Sequence, residues 1–286
     1  MSEADPETLE QMLSPCRLCP RVCGADRLGE KAGFCSVGRL ARVASAGAHF
    51  GEEPILVGPG GSGTIFFQGC NLDCVFCQNH EISHRPGGVE VSADQLAGLM
   101  TDLQKRSCSN VNLVTPTHVA AQIVEALVRA RRKGLALPVV YNCGGYESVE
   151  VLRLLAGHVD VYMPDFKYAS ADAGLKYSGV PDYPTVARAA LAEMYRQVGL
   201  IALDERRLAV RGVLVRHLVL PADLADSAAV IDAVAETAPG SAMNVMGQYR
   251  PAYRAGEFPE LLAVPRAERV AELRRLAAAR GLAPVS

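Results

Sequence analysis

The chain has 286 residues, 49% of them hydrophobic and 21% charged, a globular composition that excludes a disordered, collagenous or low-complexity protein. Twenty-nine Lys and Arg against 31 Asp and Glu leave a net charge of −2, so the basic footprint of a general nucleic-acid binder is missing. The first fifteen residues are acidic and polar without a secretory signal, and no apolar run is long enough to span a bilayer, so a cytoplasmic protein free of the membrane is expected.

In chain order, the first feature is a cysteine set, Cys16-x2-Cys19-x3-Cys23-x11-Cys35. Residues 58–63 (GPGGSG) look like a phosphate loop but lack its Lys-Ser/Thr ending and precede a strand, so they read as a turn. A strand at 64–67 (TIFF) runs into a second set, Cys70-x3-Cys74-x2-Cys77, and a helix follows at 92–106, opened by a Ser92/Gln95 capping box. Next come a strand at 111–114, a helix from Thr117 to near Gly134, a strand at 138–141, and a helix through Val149, Leu152 and Leu155 ending at Gly157. A strand at 159–163, a helix at 182–198, a strand at 213–220, a helix at 223–237, a weak strand at 242–246 and a helix from Pro265 to Gly281 complete the chain.

Six strand–helix units in series imply a parallel sheet with right-handed crossovers. Six are too few to close an eight-stranded barrel, so the expected fold is α/β: a partial (β/α)6 TIM-like barrel over residues 61–286, preceded by a small Cys-rich metal-binding segment at 1–60. A flat doubly wound sheet is the alternative. In both, reacting groups gather at the carboxyl ends of the strands. There lie the second cysteine set, Thr115-Pro116-Thr117-His118, Asn142-Cys143-Gly144-Gly145 and Asp165-Phe166-Lys167, with Arg216 and His217 inside the fifth strand and Gly247-Gln248-Tyr249 after the sixth.

Nine cysteines in a reducing compartment call for an explanation other than disulfides, and short spacing lets thiolates converge at little cost in loop entropy. Four thiolates complete a zinc or an iron–sulfur site; three leave one iron of a four-iron cluster open to a non-protein ligand. A zinc knuckle borrowing His80 or His84 is the competing reading of the second set.

The spacing at Cys70, Cys74 and Cys77, with the aromatic Phe76 before the last cysteine, resembles the radical S-adenosylmethionine (SAM) superfamily. A closer resemblance, through GCNLDCVFCQN, VTPTH, VYNCGGYE, PDFKY, VRHLVLP and the preceding CxxCPRxCG segment, is to an uncharacterised branch related to pyruvate formate-lyase activating enzyme. It runs from Cys16 to the QYRPAY segment and implies that the three loop cysteines hold a [4Fe–4S] cluster whose fourth iron takes SAM. Reductive cleavage of SAM would then release a 5′-deoxyadenosyl radical that abstracts hydrogen from substrate. The resemblance further implies that Thr115 and Thr117, standing where relatives have Gly-Gly-Glu, accept from the SAM amine. Lys167 would pair with the SAM carboxylate, and Asp165 would face the same ligand. Asn142 stands where the activating enzymes have Asp. Arg216 would contact SAM, and Phe76 would pack on adenine. A flavodoxin or ferredoxin would supply the electron.

Each role has a plainer competitor. Lys167 and Asp165 would form an ordinary ion pair, Arg216 would bridge to a neighbouring strand, and His118 and His217 would be structural hydrogen-bonders. Cys16, Cys19, Cys23 and Cys35 would hold either zinc or a second iron–sulfur cluster. The target is a glycyl-radical protein, or else a peptide or small molecule; a non-catalytic zinc-binding regulator is the alternative of a different class.

Overall fold

In the computed structural model, which describes residues 6–29 and 31–285, the alternating runs build one mixed sheet flanked by helices. Helix α1 (Pro6–Gln11) is followed by strands β1 (Ala41–His49) and β2 (Ser62–Phe67), a short helix α2 (His80–Ser83) and strand β3 (Val89–Val91). Then come α3 (Ala93–Lys105), β4 (Val111–Val114), α4 (Ala120–Arg132), β5 (Val139–Cys143), α5 (Val149–Leu154), β6 (Val161–Pro164), α6 (Ala171–Ser178) and α7 (Tyr183–Val198). The chain closes with β7 (Ala202–Leu203), β8 (Ala209–Leu218), α8 (Ser227–Thr237), β9 (Ala242–Met246), α9 (Ala267–Ala279) and β10 (Ala283–Pro284). Among the described residues no helix is long and apolar enough to cross a membrane.

The strand order is β10-β9-β8-β6-β5-β4-β2-β1-β3, with β7 paired to β8. Strands β2, β4, β5, β6, β8 and β9 are successive parallel neighbours, so the six expected units form an open partial barrel. Strands β4, β5 and β6 are buried along their whole length, as parallel strands covered on both faces must be. Their two-residue period divides the side chains. Tyr141 and Tyr162 join Leu152 and Leu191 on the helix side, whereas Val140, Val161, Met163 and Leu214 pack with Leu56 on the other. Asn142 and Arg216 are the next residues in the rows of Val140 and Leu214 and so reach that second face at the strands' carboxyl ends.

Local chemistry sets the helices. The Ser92 hydroxyl accepts Gln95 N–H at 3.2 Å while Gln95 Oε1 accepts Ser92 N–H at 2.8 Å, and Leu96, Met100 and Leu103 bury one stripe of α3. Helix α4 ends in Arg129, Arg131 and Arg132, cations that suit the negative end of its dipole.

Three features depart from the expectation. Strands β1 and β3 add an antiparallel flank to β2; β1 (ARVASAGAH) carries small residues and is only partly buried, so its sequence has no apolar alternation to announce it. Residues 171–178 form a separate helix ending at Gly179, whose φ of 66° is the left-handed stop that glycine permits. The helix after β4 begins at Ala120, beyond a 3-10 turn at Thr117–Val119. Strand β1, from within residues 1–60, is hydrogen-bonded into the main sheet, and α1 packs on α4.

His217 is fully buried in β8 and its Nδ1 faces the Phe166 carbonyl at 2.7 Å, tying β8 to the loop after β6. Burial holds its pKa down at about 4, against that hydrogen bond and the charges of Asp223 and Asp165. The unfolded chain therefore binds this proton below pH about 6.5 while the folded chain does not, so stability falls as the pH drops from about 6.5 to about 4. Urea melts across that window are expected to show a shallower pH dependence for His217→Gln than for the parent chain; equal slopes would remove His217 as the cause.

Candidate active site and its cysteine loop

The loop leaving β2 turns at Gly69, whose φ is +88°, and carries Cys70, Cys74 and Cys77. Cys70 Sγ accepts Leu72 N–H at 3.4 Å, and Cys74 Sγ accepts the Ser178 hydroxyl at 3.0 Å. Burial pushes all three thiols up, Cys77 to about 11, and for Cys70 and Cys77 the nearby thiolates push the same way; Lys167 pulls against the rise at each. Three crowded thiols beside the half-buried Lys167 ammonium fit a cationic metal cluster, which would take their protons' place. Among the described residues no three Cys, His, Asp or Glu side chains close on the single point that an ion with bonds of about 2.3 Å requires. His80 and His84, the proposed borrowed ligands of a zinc knuckle, instead stack on Tyr253 with centroids 5.3 and 4.9 Å away.

Beside the loop lies a cavity of about 200 Å³ lined by Phe76, Asp165, Lys167 and Arg216, with an apolar wall of Leu218, Leu220 and Met246. Asp165 is its charged centre. Oδ2 accepts Lys167 Nζ at 2.7 Å and Oδ1 accepts Arg216 Nε at 3.0 Å. Burial pushes the Asp165 carboxyl up, but the two cations outweigh it and hold its pKa below the ordinary value; both cations are in turn held protonated. Arg216 Nη2 also donates to Asn142 Oδ1 at 2.6 Å, and its Nη1 lies 3.8 Å from Glu52. Phe76 packs edge-on against Tyr168 and Tyr249.

Five of the seven sequence-nominated ligand residues thus share one neighbourhood: Phe76, Asn142, Asp165, Lys167 and Arg216. Thr117 stands apart from it. Thr117 is buried and its hydroxyl donates to Glu147 at 2.6 Å, so it faces into the core. Thr115, the residue after β4, borders the shared neighbourhood: its N–H donates to the Asn142 carbonyl at 2.9 Å, and its φ of 58° is a costly conformation for a β-branched residue. His118 and His217 are both buried, their rings bonded to backbone carbonyls, as structural histidines are. The residues missed from sequence are Glu52 and Glu53 from the β1–β2 connection, Glu147 and Tyr183. Glu53 accepts from Asn244 at 3.1 Å. Burial pushes Glu147 up to about 8 against its bonds to Thr117, Tyr141 and Cys143. No spacing signal marks any of them.

Tyr183 is the clamp behind the ion pair. Its hydroxyl accepts Lys167 N–H at 2.9 Å and faces the carbonyls of Gly144 and Asp165 at 2.9 and 3.0 Å. Gly145 lies against the same carbonyl, where a Cβ would stand 2.0 Å from Asp165 O. Tyr183→Phe leaves the Lys167 N–H unpaired and is expected to cost about 1–3 kcal/mol in denaturant titration; a loss below about 0.5 kcal/mol would show that the loop does not depend on it.

A family model described as the radical SAM superfamily matches residues 64–217. An uncharacterized protein of Methanocaldococcus jannaschii is 33% identical over 266 residues, 89% of this chain and 72% of the relative. The pyruvate formate-lyase-activating enzyme of Clostridium pasteurianum is 27% identical over 145 residues, 48% of this chain and 55% of that enzyme. Two solved structures of HydG, a maturase of the [FeFe]-hydrogenase, one of them from Carboxydothermus hydrogenoformans, share the fold at 12% and 10% identity, with TM-scores of 0.51 and 0.52. Each overlaps 76% of this chain, which spans about half of their length (49% and 51%). With its strand order, cysteine loop and matched residues taken together, the chain belongs to the radical SAM superfamily, whose members carry a [4Fe–4S] cluster and bind SAM.

Proposed function

We propose that this protein binds SAM in the cavity at Asp165, beside a [4Fe–4S] cluster held by Cys70, Cys74 and Cys77, and uses it to draw a hydrogen atom from a substrate. The observation that carries the reading is the meeting of the three-cysteine loop with the Lys167–Asp165–Arg216 lattice in one partly enclosed cavity. Cluster and SAM together supply reductive cleavage of a carbon–sulfur bond and hence a carbon-centred radical.

The residues of the chain bind, orient and exclude water. Arg216 is shared between Asp165 and Glu52, whereas Lys167 has Asp165 as its ion-pair partner, so the Lys167 ammonium is the cation offered to the carboxylate of a bound amino acid. Asp165 keeps both cations in place and is itself available to a ligand ammonium. Phe76, Leu218, Leu220 and Met246 offer an apolar surface to an adenine ring. Asn142 fixes Arg216 from β5, across the intervening β6. With Thr117 engaged by Glu147, Thr115 is the threonine left to meet the ligand amine.

The Clostridium pasteurianum relative activates pyruvate formate-lyase by name, and a glycyl-radical partner is the corresponding reading for this chain. The second reading has a peptide or a small molecule as the target. Superfamily membership speaks against a non-catalytic zinc regulator. A flavodoxin or ferredoxin is the fitting class of reductant, and the N-terminal cysteines are a second metal site, of zinc or iron–sulfur type.

The test is anaerobic loading of the full chain with iron and sulfide, followed by dithionite and SAM. 5′-Deoxyadenosine is expected from the parent chain and none from Cys70→Ala. Lys167→Ala should weaken SAM binding by about 10- to 100-fold, as loss of a charge-assisted hydrogen bond of about 1.5–3 kcal/mol implies. A fully loaded parent chain that yields no 5′-deoxyadenosine, or a Lys167→Ala chain that binds SAM undiminished, would overturn the assignment.

A further inference from the structure

The four N-terminal cysteines lie near one another, although among the described residues no three of their sulfurs close on the single point that one zinc ion requires. One turn is closed by Cys16 N–H to Ala25 O at 2.9 Å and Gly24 N–H to Cys16 O at 3.1 Å, the other by Gly33 N–H to Val37 O at 3.1 Å. The turns face each other: a Cβ on Gly33 would lie 3.4 Å from the sulfurs of both Cys23 and Cys35. Gly33 also lies against Arg27, whose Nη1 approaches Cys16 Sγ, and burial together with the charges of Cys35 and Cys16 pushes the Cys19 thiol up.

Into this group reaches Arg27, 1% exposed. Its guanidinium donates to the carbonyls of Gly38 at 3.0 Å and His118 at 2.8 Å, with Nη1 3.7 Å from Cys16 Sγ. Among the described residues no carboxylate pairs with it. A cation buried among sulfurs and carbonyls needs a negative counter-charge, and four metal-bound thiolates provide one.

The same group abuts the active-site loop. Gly69 directly precedes Cys70, and a Cβ on it would stand 2.3 Å from the Cys35 carbonyl oxygen, so ligand-bearing backbone of the two sets is in contact. The His118 ring faces the Gln68 carbonyl at 2.8 Å, and Arg21 donates to the carbonyls of Asn71 and Ser178.

We infer that Cys16, Cys19, Cys23 and Cys35 hold an iron–sulfur cluster that passes single electrons to the metal group at Cys70, Cys74 and Cys77. The inference rests on the radical SAM reading of that loop. A one-electron carrier protein meeting the exposed Cys23 is oxidised by one electron, the N-terminal cluster is reduced by one, and it is reoxidised as the loop's group gains that electron; no proton need move. Covalent bonds and one van der Waals step, Cys35 to Gly69, connect the two sets. A zinc ion could not carry the electron, and among the described residues no three sulfurs close on the single point it requires.

The Cys70→Ala/Cys74→Ala/Cys77→Ala chain, isolated anaerobically from cells given both metals, isolates the N-terminal site. It is expected to keep iron and sulfide and to give, on reduction, a paramagnetic signal indifferent to SAM. One zinc per chain without iron would overturn the inference. In that same chain Arg27→Gln should lower the reduced fraction at a fixed potential, by roughly tenfold, because a positive charge beside the sulfurs is lost; an unchanged fraction would refute Arg27 as its charge partner. In the otherwise intact chain, Cys16→Ser should slow SAM cleavage driven by a carrier protein at least about tenfold more than cleavage driven by dithionite. Equal slowing would overturn the relay. If the radical SAM reading itself failed, the triple variant would still hold iron while the parent chain made no 5′-deoxyadenosine.

Discussion

Everything at the cavity depends on one carboxylate shared between two cations. Asp165 leaves β6, Lys167 follows it by two residues, and Arg216 arrives from β8, so their meeting requires β6 and β8 to be parallel neighbours in a fixed register. Taking a buried ion pair apart costs about 3–5 kcal/mol when no water can reach the orphaned charge. About a fifth of the Asp165 and Lys167 side chains is exposed, so the cost here is smaller and the lattice keeps an open side for a ligand. Asn142 and Glu52 hold Arg216 from two further directions, and Tyr183 holds the backbone beneath.

How far the molecule was legible in its sequence follows from what each element depends on. The parallel strands are fully buried and the helices around them amphipathic, so their apolar periods show through, and the six-unit open barrel follows from counting them. Asn142, Asp165 and Lys167 stood out at strand ends, which the topology brings together, whereas Phe76 in the cysteine loop and Arg216 inside a strand were nominated by the resemblance to the radical SAM superfamily. What escaped depends on neighbours far along the chain. Strand β1 is recruited by the edge of β2 and has no apolar pattern of its own. Thr117 falls in a motif position, yet the buried Glu147, thirty residues later, takes its hydroxyl. Tyr183 reads as one more apolar residue opening a helix, and only the folded chain shows its hydroxyl beneath Lys167.

The histidines illustrate how burial decides chemistry. His118 and His217 sit beside motif residues and would draw attention as acid–base groups, but both are desolvated, held near a pKa of about 4 and tied to backbone carbonyls. They are neutral struts. Glu147 is the opposite case: a carboxyl that burial pushes to about 8, retained because three polar side chains serve it.

The β1–β2 connection carries a final lesson about autonomy. Glu52 and Glu53 come from it, and Arg27, farther upstream, caps the carbonyl of His118. A chain trimmed to its repeating strand–helix units would keep every loop cysteine and the whole Asp165 lattice. It would also strand β2 as a bare sheet edge, deprive Arg216 of a carboxylate and leave a core carbonyl unserved. The residues ahead of β2 thus brace the barrel, and the recognisable core is not structurally complete without them.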